Sequence, residues 1–109
     1  MSETVGSPPV RPLAGLNVLE LGSSLAGAYC GKLLTDAGAH VVKVEEPGGD
    51  PLRRWSASAV LAGDEECDSL TADGALFRYL HAGKGSAVID ASTQDGRDAL
   101  AALIAGSDV

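Results

Sequence analysis

From Leu16 the chain runs LNVLEL, dense enough in apolar residues for a largely buried strand, and then breaks at Gly22-Ser23-Ser24. A helical period follows. Ala26, Cys30, Leu33, Leu34 and Ala37 recur on one face and predict a helix over about 25–36. Gly38 stands just past its end, where a glycine enters the left-handed region without a Cβ penalty. HVVKV at 40–44 is β-branched and predicts a second strand. EEPGGDP at 45–51 cannot continue a strand and predicts a loop. Pattern then fades through the acidic GDEECD at 63–68, whose like charges repel, so about 56–71 is expected to be a solvated insertion loop. A short helix is expected over 72–80 and a third strand at SAVID, 86–90. The last helix is expected to start at Ser92 or Thr93, with Ser92 and Asp95 in an S-x-x-D capping pattern, and to bury Leu100, Leu103 and Ile104.

Strands alternating with helices imply parallel pairing through crossover connections. The expected fold class is α/β: a Rossmann-like parallel sheet of about three strands flanked by helices. Residues 1–12, punctuated by Pro8, Pro9 and Pro12, read as a flexible lead, and 13–109 as one domain. Asp108 and Val109 would open another strand, so the fold reads as incomplete. Its unpaired edge predicts self-association or marginal stability.

A length of 109 residues allows one modest core, and an aromatic content of 4% makes that core aliphatic. The net charge of −7 disfavours a nucleic-acid partner and obliges any polyanionic ligand to find a local basic patch. Lys43, Arg53, Arg54 and Lys84 are the candidates for that patch. The polar N-terminus has no apolar signal region, and no apolar run approaches the ~18 residues of a membrane span, so the expected location is cytoplasmic, with no membrane partner. Cys30 and Cys67 lack metal-ligand spacing, and no metal is expected. His40 and His81 are expected in surface or strand-edge roles, and Trp55 is expected to pack the insertion.

Strand, glycine turn and helix together invite comparison with phosphate-binding loops. Gly22 and Gly27 open a G-x-x-x-x-G pattern, but Ala28 and Tyr29 stand where a P-loop needs Lys and Ser/Thr. The dinucleotide fingerprint fails too, because Ser24 replaces the glycine that lets pyrophosphate approach the backbone. Two roles remain open for the turn. Its small residues serve close strand–helix packing, or the helix N-terminus presents free N–H groups to a ligand oxygen.

Two stretches, PLAGLNVLELGSSLAGAYCGKLLTDAGAHVVKVEEPGGDPLRRW at 12–55 and HAGKGSAVIDASTQDGRDALAALIAGSDV at 81–109, together resemble the class III CoA-transferases. That family includes formyl-CoA transferase, carnitine-CoA transferase and α-methylacyl-CoA racemase. The resemblance implies a CoA or acyl-CoA substrate held in a Rossmann-like N-terminal part. It also implies transfer of CoA between carboxylic acids through an aspartyl anhydride. The nucleophilic aspartate of the family would lie beyond Val109, so no catalytic residue is assigned, and Asp36, Asp50, Asp90 and Asp108 are not candidates.

The family's CoA contacts after its first strand fall on Leu25 and Ala26, and its basic position after the second strand falls on Glu46. A segment ending the third strand falls on Ile89, Asp90, Ala91 and Ser92. In the family's G-K-R-S block Lys84 and Ser86 match, while Gly85 replaces the arginine. The expected partners are a CoA thioester and the remainder of a CoA-transferase polypeptide, or a second copy by self-association. The alternatives are a non-catalytic CoA-binding module, an inactive remnant and a fragment of the racemase branch.

Overall fold

The structure is a computed structural model that describes residues 10–55 and 74–109. The expected insertion at about 56–71, Cys67 and the first residues of the expected second helix lie outside the described residues. Element order is β1 (Asn17–Glu20), α1 (Leu25–Asp36), β2 (His40–Glu45), a 3-10 turn (Pro51–Arg54), α2 (Ala75–His81), β3 (Gly85–Val88) and α3 (Gln94–Ala105). The three strands form one parallel sheet in the order β1-β2-β3, flanked by three helices, as the alternating pattern predicts. Beyond β3, Ile89 N–H still donates to the Glu45 carbonyl at 2.8 Å, so the third strand's pairing runs one residue past its regular part.

Each helix end has a local cause. Ser24 caps α1 by accepting from Gly27 N–H at 3.0 Å, which satisfies one of the free donors of the first turn. Gly38 follows the α1 C-cap with φ +108°, so the glycine expected there takes the left-handed backbone that lets β2 start at once. At α3 the cap is Thr93, accepting from Gly96 N–H at 3.0 Å. Ser92, the other expected cap, is instead turned onto Asp90.

The two faces of the sheet differ. Val18 and Glu20 of β1 and Val41, Lys43 and Glu45 of β2 alternate onto one buried face, under α1. Val18, Ala39 and Val41 form the core there, with Leu13, Leu16 and Leu34 packed against them. The helix buries Ala28 and Gly31, while Ala26, Cys30 and Leu33, expected on its inner stripe, are exposed. Small residues face the sheet because charged side chains, described below, fill the space that larger apolar ones would need. The other face carries Leu19, Val42 and Val44 under α3, where Leu100 and Leu103 are half-buried and Ile104 is exposed.

Residues 108–109 lie along β1 on the edge away from β2. Leu19 N–H donates to the Val109 carbonyl at 2.9 Å, and Asp108 N–H donates to the Asn17 carbonyl at 2.8 Å. The Asp108 carboxylate also accepts from Asn17 N–H at 2.8 Å. Chain leaving β1 passes through α1 to one side, and chain leaving β3 returns through α3 to the other. That reversal puts a topological switch point at β1, and such a sheet binds its ligands outside the carboxyl ends of the strands near that point.

Among the described residues, Leu80 of α2 and Val41 are the largest fully buried side chains. Leu80→Ala is expected to lower stability by about 2–5 kcal/mol. Urea unfolding checks this, and a change below 1 kcal/mol would show that α2 is not part of the cooperative unit.

Candidate functional site

The carboxyl ends of the strands open onto a cavity of about 270 Å³. Leu21, Gly22 and Ser23 border it after β1, Glu46 after β2, and Ile89 and Ala91 after β3; Leu100 of α3 closes one side. Gly22 shapes the first border, because its φ of +83° turns the chain from strand to helix within the four residues 21–24. Apolar walls with a few polar groups are the usual make-up of a small-molecule site, and the volume suits one end of a ligand as long as CoA.

Of the residues assigned by resemblance, Glu46, Ile89 and Ala91 meet in this cavity. Leu25 and Ala26 are exposed at the start of α1, beside the turn but not in the cavity lining. Asp90 and Ser92 are occupied with each other. The Asp90 carboxylate accepts from the Ser92 hydroxyl at 2.5 Å and from Ser92 N–H at 3.0 Å, and those two bonds hold its pKa below the ordinary carboxylate value. They shape the loop after β3, and Arg97 straps it from below by donating to the Ala91 and Ser92 carbonyls.

Beneath the cavity lies a cluster of buried charge that sequence reasoning did not find. Glu20 and Lys43 are register partners on β1 and β2, and their side chains meet at 3.2 Å. Lys43 also pairs with Asp50 at 3.0 Å and donates to the Gly22 carbonyl, so it ties the turn after β1 to the loop after β2. Asp50 holds that loop in turn by accepting from Leu52 N–H at 2.8 Å. The second oxygen of Glu20 takes Lys84 at 2.6 Å, and Lys84 donates further to the Ala28 carbonyl at 2.9 Å. Beside this cluster, Arg53 grips the buried Glu45 through two bonds of 2.7 and 2.9 Å and lies over the Phe77 ring.

These contacts correct the expected basic patch. Lys43 and Lys84 have side chains only 3% and 1% exposed and already carry carboxylate partners, and Arg53 is committed to Glu45. Lys84 does not line the cavity, which departs from its assignment as a CoA contact by resemblance. Arg54 is exposed on the 3-10 turn and is not in the cavity lining. Among the described residues no group of three or more His, Cys, Asp or Glu is placed to hold a metal ion.

His81 is packed into the same cluster, against the expectation of a surface or strand-edge role. Its side chain is 6% exposed, and Nδ1 lies 3.1 Å from the Lys84 ammonium, which donates to it. Burial, then the Lys84 charge, hold the imidazole below its ordinary pKa, against the opposing pull of Glu20. Glu20, Asp50, Lys43 and Lys84 sum to zero, so a neutral His81 leaves the buried group electrically balanced.

Gly31 is the position that admits this cluster under α1. A Cβ there would sit 2.0 Å from a Glu20 oxygen and 2.9 Å from the Lys84 ammonium. In an open helix Gly→Ala stabilises by about 1 kcal/mol. Here Gly31→Ala is expected to reverse sign and destabilise by about 1–3 kcal/mol, as overpacking does. Urea unfolding reads the sign directly, and a stabilised variant would contradict the packing described.

For His81 the expected pH dependence follows from its lowered pKa. The unfolded chain takes up the proton first, so stability is fullest above the ordinary histidine value of about 6.5 and falls as pH drops below it. His81→Gln is expected to flatten the loss of stability between pH 7.5 and 5.5, and parallel curves for the two proteins would refute the assignment.

Comparison with known proteins adds the family. The model of CoA-transferase family III matches residues 13–109. Succinyl-CoA:mesaconate CoA-transferase of Haloarcula hispanica is 45% identical over 97 residues, 89% of this chain and 23% of its own length. Succinate–glutarate CoA-transferase of Agrobacterium fabrum is 38% identical over 99 residues, 90% of this chain and 24% of that enzyme. The crystal structure of a CAIB/BAIF family protein from Brucella suis superposes with a TM-score of 0.75 at 37% identity, over 92% of this chain and 25% of that one. The chain thus spans about a quarter of the length of these relatives. Among the described residues no helix is long and apolar enough to cross a membrane. The match starts at Leu13, ahead of β1, and runs through every element to Val109, and on that footing the chain belongs to CoA-transferase family III.

Proposed function

We propose that this chain forms part of the CoA-thioester site of a class III CoA-transferase, with the cavity outside β1–β3 receiving one end of CoA. The observation that carries the proposal is the convergence of Glu46, Ile89 and Ala91, three of the positions assigned by resemblance, on one cavity at the carboxyl ends of the strands. Leu25 and Ala26, exposed at the start of α1, flank the route by which the thioester arm would leave the cavity.

In the proposed reaction a carboxylate oxygen attacks the thioester carbonyl, the carbon–sulfur bond breaks, and CoA leaves as the thiolate from a mixed anhydride. The thiolate then attacks the enzyme-side carbonyl of the anhydride and expels the donor acid as its carboxylate, leaving a thioester on the enzyme carboxyl. The acceptor carboxylate displaces the thiolate from that thioester to form a second anhydride. The thiolate attacks the acceptor's acyl carbon, releasing the new acyl-CoA and restoring the enzyme carboxylate. A carboxylate suits this exchange because its anhydride is about as activated as the thioester it replaces. Asp36, Asp50, Asp90 and Asp108 do not serve as that nucleophile. Asp50 is buried in its ion pair and Asp90 is bonded to Ser92, whereas Asp36 pairs with Lys32 on the helix surface and Asp108 caps the backbone of β1. The attacking carboxylate is assigned to sequence outside this chain, and the site here binds and orients the thioester.

Calorimetric titration with CoA and succinyl-CoA tests the proposal, the latter chosen because relatives are named for it. Saturable binding is expected, with a matching rise in melting temperature. Ala91→Trp places bulk in the cavity from an exposed position, so it should abolish binding and leave the melt of the free protein unchanged. Absence of saturable binding to both compounds would sink the proposal.

A further inference from the structure

The buried cluster beneath the cavity contains one group whose ordinary charge change falls near neutral pH, the imidazole of His81. Lys84 donates to its Nδ1 at 3.1 Å, so the neutral ring carries its proton on Nε2, which has no hydrogen-bond partner among the described residues. A second proton has to enter at Nδ1, where it meets an ammonium. Glu20, from β1, is the carboxylate within reach of that proton, with Oε2 3.9 Å from Nδ1. The same oxygen already holds Lys43 of β2 at 3.2 Å, while Oε1 holds Lys84.

The groups on the surrounding elements are engaged elsewhere. Asp50, from the loop after β2, pairs with Lys43 at 3.0 Å. Glu45 of β2 is held by Arg53, whose guanidinium lies over the Phe77 ring, and that ring packs against His81 with centroids 4.5 Å apart. From α1 the cluster receives the Ala28 carbonyl, which accepts from Lys84. Protonating His81 gives this balanced group an excess positive charge and sets imidazolium and Lys43 in competition for one carboxylate oxygen. Lys43 is also the tie between the Gly22 carbonyl and Asp50, two residues that border the cavity.

We propose that His81 is a pH-sensitive switch for the cavity. Protonation at Nδ1 draws Glu20 away from Lys43, loosens the tie between the turn after β1 and the loop after β2, and lowers the affinity of the site for its ligand. On the reading of the cavity as a CoA site, thioester binding is fullest with the imidazole neutral and weakens as pH falls below the ordinary histidine value of about 6.5. By reciprocity, a bound ligand makes His81 harder to protonate.

An NMR titration of the free chain from pH 7.5 downward tests the switch without a ligand. The backbone amide signals of Gly22, Ser23 and Asp50 are expected to shift with the same midpoint as the His81 ring signals. His81→Gln, whose amide oxygen can still accept from Lys84, should remove that midpoint from the amides. Amide signals indifferent to the titration of His81 would overturn the switch. Calorimetry with CoA at pH 7.5 and 5.5 then reads the coupling to binding. Affinity is expected to fall at least about fivefold further in the unsubstituted chain than in His81→Gln, a comparison that cancels the titration of CoA itself. Saturating CoA should also lower the His81 midpoint. An equal fall in both proteins would overturn the coupling while leaving the CoA site standing. If the amides follow His81 but CoA binds at neither pH, the CoA reading fails and the switch at the cavity borders is upheld.

Discussion

One buried carboxylate, that of Glu20, carries much of the structure. It sits between two ammonium groups, Lys43 at 3.2 Å and Lys84 at 2.6 Å, contributed by β2 and by the turn before β3. An isolated ion in such a place loses several kcal/mol of hydration. The arrangement is therefore tolerable only if its members arrive together. Asp50 balances the second ammonium, His81 stays neutral, and Gly31 leaves the room that a methyl group would occupy. Each strand of the sheet is tied into this cluster directly or through the residue beside it. For a chain with only a small aliphatic core, the cluster fixes which elements may be neighbours.

The same constraint shapes the cavity. Because Lys43 reaches from β2 to the Gly22 carbonyl and to Asp50, the two loops bordering the cavity are held to one point beneath it. Rigid borders favour a site that orients a ligand. The consequence for chemistry is less obvious. Lys43 and Lys84, candidates for a basic patch in the sequence, are withdrawn into the interior, while Glu46 is exposed in the cavity lining.

Much of the fold was legible in the sequence. LNVLEL and HVVKV announced β1 and β2, Gly38 announced the end of α1, and the strand–helix alternation announced the parallel sheet. The α1 face was misjudged because a count of apolar side chains rewards Cys30 and Leu33, whereas the sheet wanted the smallest residues, Ala28 and Gly31. The charged cluster was missed for a related reason. As sequence, Lys43 and Lys84 read as candidates for a basic patch and Glu20 carries no assignment, yet the two-residue period places Glu20 in line with Val18, and Lys43 and Glu45 in line with Val41. Opposite charges on the buried faces of adjacent strands were the available clue. Lys84, His81 and Asp50 could not be found this way, because they join the cluster through loops and a helix end distant in sequence. Of the candidate site, resemblance located the strand ends that meet at the cavity, and only coordinates could tell which basic side chains were already engaged.

A double-mutant cycle between Glu20 and Lys84, read by denaturant unfolding, tests the central role of the buried cluster most directly. Removing both residues leaves Lys43 and Asp50 as a balanced pair. Glu20→Met and Lys84→Met alone are predicted to cost about 3–5 kcal/mol each, since each strands a buried charge. The double variant should lose much less than the sum, with a coupling of at least about 1.5 kcal/mol. Small and additive losses would contradict the account, because they would mean that the two charges do not depend on each other for their burial.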